Sequence, residues 1–221
     1  MALTQLAVFV RSPEPGRVKT RLIPKLGPRG AAELYEAFVE DTLRTCQRMA
    51  EDPSCSLLMW VAGPVDSTVR SWARRFEAEL RPQCDGDLGE RLQAAFAFGL
   101  SRHERVVVLG SDAPSLPAPW LSALIRMLDG ADMVLGPSRD GGYYGVGAAR
   151  GTQPSFEAVR WSTRHALSDT LSANAGLQVA LASPWFDIDE PTDLELLRAQ
   201  LSLDPKAAPA SAAWLRANPH R

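Results

Sequence analysis

Arg105-Val106-Val107-Val108-Leu109-Gly110-Ser111-Asp112 predicts the central strand of a sheet and a carboxylate just beyond its end. Three valines and a leucine make this the most strand-like run in the chain, and Gly110 stops it. A short run that is apolar throughout suits a strand buried on both faces. Leu6 to Val10 reads the same way, and the breaker-rich stretch Ser12-Pro13-Glu14-Pro15-Gly16 ends it, so it predicts strand one feeding a loop.

Outward from these two strands, helix and strand signals alternate. Leu34, Phe38, Thr42 and Thr45 recur at helical spacing against Glu33, Glu36, Glu40 and Arg44, predicting an amphipathic helix over about 30–50. Strands are then expected at 56–61, near Leu80, at 132–135, 143–146 and 177–182. Helices are expected at 67–76, 88–100, 117–128, 164–173 and 191–201. Interleaved elements of these lengths predict an α/β fold in one domain over 1–203, a mostly parallel sheet covered on both faces, with ligands at the carboxyl ends of the strands. The Ala- and Pro-rich segment 204–221 reads as a partly ordered tail.

Composition narrows the function classes. With 45% apolar and 23% charged residues, the chain is an ordinary globular one. A net charge of −2 offers no global attraction to polyanions, so no nucleic-acid partner is expected. The three cysteines form no CxxC pair and read as reduced thiols. No apolar run approaches the roughly 18 residues of a membrane span, and the first residues lack a signal-peptide pattern, so no membrane partner and a cytoplasmic location are expected. His103, His165 and His220 stand in unrelated contexts with no nucleophile motif nearby, which gives a catalytic triad no support.

Three segments carry candidate chemistry. Arg11 to Leu22 gathers Arg11, Arg17, Lys19 and Arg21 around Gly16, directly after a buried strand. A solvated basic loop would explain it, but Lys19 and Arg21 at alternate positions suit a phosphate, with Gly16 letting backbone amides approach. The Walker pattern is absent. Asp112 is either a cap or turn former, or a ligand for a hard divalent cation bridging donor phosphates. In Asp187-Ile188-Asp189-Glu190-Pro191-Thr192-Asp193, alternation places Asp187 and Asp189 on one side of an extended segment. One of them completes a metal site, or Asp189 or Thr192 merely caps the last helix.

Two further patches border the expected acceptor side. Asp140-Gly141-Gly142-Tyr143-Tyr144 joins a carboxylate to two glycines and two rings, although Asp-Gly also signals a hairpin turn. Asp87 and Glu90 in Gly86-Asp87-Leu88-Gly89-Glu90 look like helix capping, with glycines that leave room for a nucleotide. Trp161 before Ser162-Thr163 is either a packing residue or part of an acceptor pocket.

Taken together, PEPGRVKTRL, GDLGERL, GSDAPSL, DGGYYGVG, WST and DIDEPTDL, spread from Leu6 to about Leu197, resemble a bacterial family of GT-A-type transferases. That family has been described as DUF2064 and as glycosyltransferases associated with radical-SAM gene clusters. The resemblance implies a Rossmann-like GT-A three-layer α/β/α sandwich and a nucleotide-diphosphate sugar donor, a small-molecule acceptor and Mg2+ or Mn2+. It assigns Arg17, Lys19 and Arg21 to the nucleotide phosphates, and Asp112 to the metal with Asp189 as a second metal ligand; Gly16, Asp87 and Ser111 are expected beside them at the nucleotide. Asp140 would be a base or acceptor-orienting residue, with Gly141, Gly142, Tyr143 and Trp161 around the acceptor. A homodimer is compatible with it. Nucleotidyl transfer with pyrophosphate release, or nucleotide binding without turnover, are the alternatives. Two departures stand out: Ser115 replaces the second acid of the family's GSDxPDL loop, and Arg11-Ser12 stands where lysine is frequent before the first proline, which leaves Arg11 without a role.

Overall fold

The computed structural model describes residues 3–219. Seven strands form one sheet: β1 (Thr4–Arg11), β2 (Cys55–Ala62), β3 (Glu79–Pro82), β4 (Arg105–Leu109), β5 (Met133–Pro137), β6 (Tyr143–Ala149) and β7 (Val179–Leu181). Their order is β3-β2-β1-β4-β6-β5-β7, with β6 antiparallel to both its neighbours and every other pairing parallel. The expected mostly parallel α/β/α sandwich is present, and its one reversed strand arises from the hairpin between β5 and β6.

Alternation along the central strands explains the three layers. Leu6, Val8, Val10, Val107 and Leu109 pack on one face against helices α1 (Ile23–Ala50), α2 (Ser67–Arg75) and α4 (Ala118–Met127). Ala7, Leu58, Trp60, Val106 and Val108 face α3 (Leu88–Leu100) and α5 (Ala166–Ala173). Both faces of β1 and β4 are therefore dry, as their uninterrupted apolar runs require. The chain runs from β1 outward to β2 and β3, then returns to lay β4 on the other side of β1. The loops after β1 and β4 thus leave adjacent strand ends in opposite directions and open a crevice between them.

α1 begins at Ile23, about seven residues before the expected start, after a 3-10 turn (Thr20–Leu22) and with a first helical turn interrupted at Gly27. Gly27 has φ 72°, which a side chain would oppose, and Pro28 restarts the helix where its missing N–H costs nothing. The other face of α1 buries Leu34 and Phe38 against α6 (Pro191–Leu203) and α7 (Pro209–Ala217). Within the segment expected as a partly ordered tail, α7 is therefore a packed helix. Asp41 of α1 caps it across the sequence, accepting bonds from Ala210 N (2.9 Å), Ser211 N (2.8 Å) and Ser211 Oγ (2.7 Å). His220 lies outside the described residues.

Candidate active site

Gly16 turns the loop after β1 at φ 86°, and Lys19 follows in the left-handed region at φ 46°, ψ 45°. That backbone folds the lysine inward. Its side chain is only 4% exposed, and its ammonium meets Asp112 Oδ1 at 2.5 Å and Asp189 Oδ1 at 2.8 Å. The Phe38 ring lies 5.6 Å beneath it. Burial alone favours the neutral amine, but the two carboxylates outweigh it and hold the Lys19 pKa above the ordinary lysine value.

Asp112 and Asp189, 47% and 38% exposed, reach this point from opposite ends of the chain. The Ile188 N–H donates to the Asp112 carbonyl at 2.9 Å, which docks the extended segment 187–189 against the end of β4. Ile188 points into the core, so Asp187 and Asp189 face the other way, as alternation predicts. Asp189 is not the cap of α6. Glu190 takes that role in a capping box with Asp193, whose carboxylate accepts from Glu190 N at 2.8 Å and from Asp189 N at 3.1 Å.

A cavity of about 430 Å³ opens over these groups. Arg11, Arg17, Lys19 and Arg21 line one side, and Asp140, Gly142, Tyr143, Trp161 and Asp187 line another. Tyr143 and Trp161 form an edge-on pair, 6.2 Å between ring centres. Asp140 sits in the β5–β6 turn and accepts bonds from the Ser138 hydroxyl and from Gly142 N at 2.8 Å. The segment is thus a hairpin turn, and Asp140 and Gly142 line the cavity. Burial, then the charge of Asp140, pushes the Asp187 carboxyl up to about 6.

A second cavity of about 280 Å³ adjoins the first, and Arg11, Tyr35, Leu88, Asp112 and Tyr143 line both. Ser111 belongs to this second space, where its hydroxyl shares a 3.0 Å hydrogen bond with the Tyr35 hydroxyl. The Tyr35 oxygen also accepts from Arg11 N at 2.9 Å, and burial pushes the phenol up to about 12. Three expected site residues line neither cavity. Gly16 makes the loop turn. Asp87 caps α3 by accepting from Glu90 N at 2.9 Å. Gly141, at φ 88°, lies so close to the Arg164 backbone that a Cβ would stand 2.3 Å from its carbonyl oxygen.

Residues 44–163 match the family described as an uncharacterized protein conserved in bacteria, DUF2064. This chain belongs to the DUF2064 family. A provisionally assigned nucleotide-diphospho-sugar transferase from Desulfovibrio desulfuricans G20 is similar over 99% of this chain and 96% of its own, at 30% identity and TM-score 0.86. A cytidylyltransferase from Leptospira borgpetersenii shares the fold over 99% of this chain and 96% of its own, at 12% identity and TM-score 0.62. Glucosyl-3-phosphoglycerate synthase from Mycobacterium tuberculosis, solved with Mn2+, UDP and phosphoglyceric acid, shares it over 91% of this chain and 78% of its own, at 14% identity and TM-score 0.53. No curated protein sequence matches the chain.

In this DUF2064 member Ser115 stands where the resemblance places a second acid. Ser115 is buried, its hydroxyl has no hydrogen-bond partner among the described residues, and it lines neither cavity. The second carboxylate beside Asp112 is Asp189. Two half-exposed carboxylates meeting one cation are a fitting donor set for Mg2+ or Mn2+, which take one or two acids and complete their shell with phosphate oxygens and water. Among the described residues no three acidic, histidine or cysteine side chains converge as an all-protein cage. Sequence reasoning missed Tyr35 and left Arg11 without a role. Tyr35 was legible only as a helix residue on the buried face, where its hydroxyl needs a partner.

Proposed function

We propose that this chain is a divalent-cation-dependent glycosyltransferase that takes a nucleotide-diphosphate sugar as donor and a small molecule as acceptor. The observation that carries the reading is the convergence of Lys19, Asp112 and Asp189 in the crevice between the ends of β1 and β4. Support for sugar transfer comes from the Desulfovibrio relative, the one named neighbour above 25% identity.

In this reading the nucleoside occupies the smaller cavity beside Ser111 and Tyr35, and the diphosphate spans the region that both cavities share. Lys19, with Arg17 and Arg21 from the same loop, holds phosphate oxygens and stabilises the charge that builds on the leaving diphosphate. Asp112 and Asp189 would hold the cation, which supplies further charge neutralisation when bound. Trp161 and Tyr143 wall the acceptor side and exclude water. Asp140, fixed by Ser138 and Gly142, orients the acceptor hydroxyl and takes its proton as that oxygen bonds to the sugar carbon and the carbon–diphosphate bond breaks.

The test is product analysis after incubation with Mn2+ and either nucleotide-sugars or nucleoside triphosphates, across a panel of small hydroxyl acceptors. Release of nucleoside diphosphate with a glycosylated acceptor is the expected result. Release of pyrophosphate from a triphosphate would replace sugar transfer with nucleotidyl transfer at the same site.

A further inference from the structure

We infer that Lys19 is an internal counter-cation that a diphosphate must draw away before Asp112 and Asp189 can take a divalent cation, so that nucleotide and metal bind as one cooperative step. The inference rests on the transferase reading above and adds an order of events to it.

The arrangement of the three charges carries it. The ammonium is the buried member, 4% exposed, while the two carboxylates that grip it are 47% and 38% exposed. A cation arriving from the cavity therefore meets acids whose charge is already half neutralised from behind. Two carboxylates and one ammonium leave a single negative charge, and a divalent ion added to them would sit against the ammonium in a poorly solvated place, where like charges repel strongly. Lys19 cannot simply retreat, because a buried ammonium stripped of its partners is costly. A diphosphate removes the conflict. It offers the lysine a new anion at the cavity side of the same loop, and the flexible four-carbon stem lets the ammonium follow it. The left-handed backbone at Lys19 fits this account, since such a conformation persists where surrounding contacts hold it, and the two ion pairs are among those contacts, with the Leu22 N–H bond to the Lys19 carbonyl.

Direct bonds between metal and phosphate also couple the two ligands, so coupling in the wild type does not by itself distinguish the lysine's role. The sign of a lysine variant does. Mn2+ binding is measured by electron paramagnetic resonance of the free ion, with and without UDP, for wild type, Lys19→Met, Lys19→Gln and Lys19→Arg. UDP is expected to tighten Mn2+ binding by the wild type about tenfold or more. Without UDP, Lys19→Met and Lys19→Gln should bind Mn2+ about tenfold more tightly than wild type, with a smaller response to UDP. Lys19→Arg, which keeps the charge, should retain the weak nucleotide-free binding. Lys19→Gln serves if Lys19→Met does not fold. Wild-type coupling together with neutral variants that bind nucleotide-free Mn2+ no better than wild type would overturn this inference and leave the transferase reading standing. A wild type that binds neither UDP nor Mn2+ would overturn both.

Discussion

Lys19 and Asp41 are both buried charges, and the molecule treats them in opposite ways. Asp41 is 1% exposed and bonded to the first N–H groups of α7, which cannot move without unwinding the helix. Lys19 is as deeply placed, yet its partners are carboxylates on the rim of a cavity, reachable by solvent and by a ligand. A charge satisfied by backbone belongs to the fold. A charge satisfied by exchangeable, half-exposed groups is available for binding, and this difference separates Asp41 within α1 from Lys19 in the loop before it.

Substitutions at the two places should therefore separate activity from stability. Asp112→Asn is expected to lower transfer activity by about a hundredfold or more, because in the proposed reading it removes a ligand of the cation that neutralises the developing charge, with little change in melting temperature while Asp189 still pairs with Lys19. Asp41→Ala should do the reverse. Losing three hydrogen bonds to a buried carboxylate should cost about 2–3 kcal/mol, or roughly 5–10 °C in Tm, while activity per folded molecule stays level. A large activity loss in Asp41→Ala, at a temperature where it is folded, would break the contrast. Asp87→Ala gives the smallest effect and sharpens it further. As an exposed cap it should cost about 1 kcal/mol by thermal or urea unfolding and leave UDP affinity unchanged. A fall in UDP affinity would return Asp87 to the nucleotide site.

Much of this was legible from residues alone. The apolar runs of β1 and β4 state their burial on both faces, and the breakers after them mark where the site lies. What escaped depends on pairing over long distances. α7 reads as an Ala- and Pro-rich tail because the groups that make it a helix end, Asp41 and the apolar face of α1, lie about 170 residues earlier. Asp189 stays ambiguous between cap and ligand until Glu190 and Asp193 are seen to form the capping box. Asp87, Asp112 and Asp189 look alike in sequence, each an acid beside an element end. Only the fold shows that the first turns to its own helix while the other two turn to Lys19.

Isothermal calorimetry of UDP, with and without Mn2+, on wild type, Asp112→Asn and Asp189→Asn tests the convergence of these three residues most directly. The wild type should bind UDP much more tightly when Mn2+ is present, and both variants should lose that gain. UDP binding that is indifferent to Mn2+, or a gain that survives in both variants, would contradict the account.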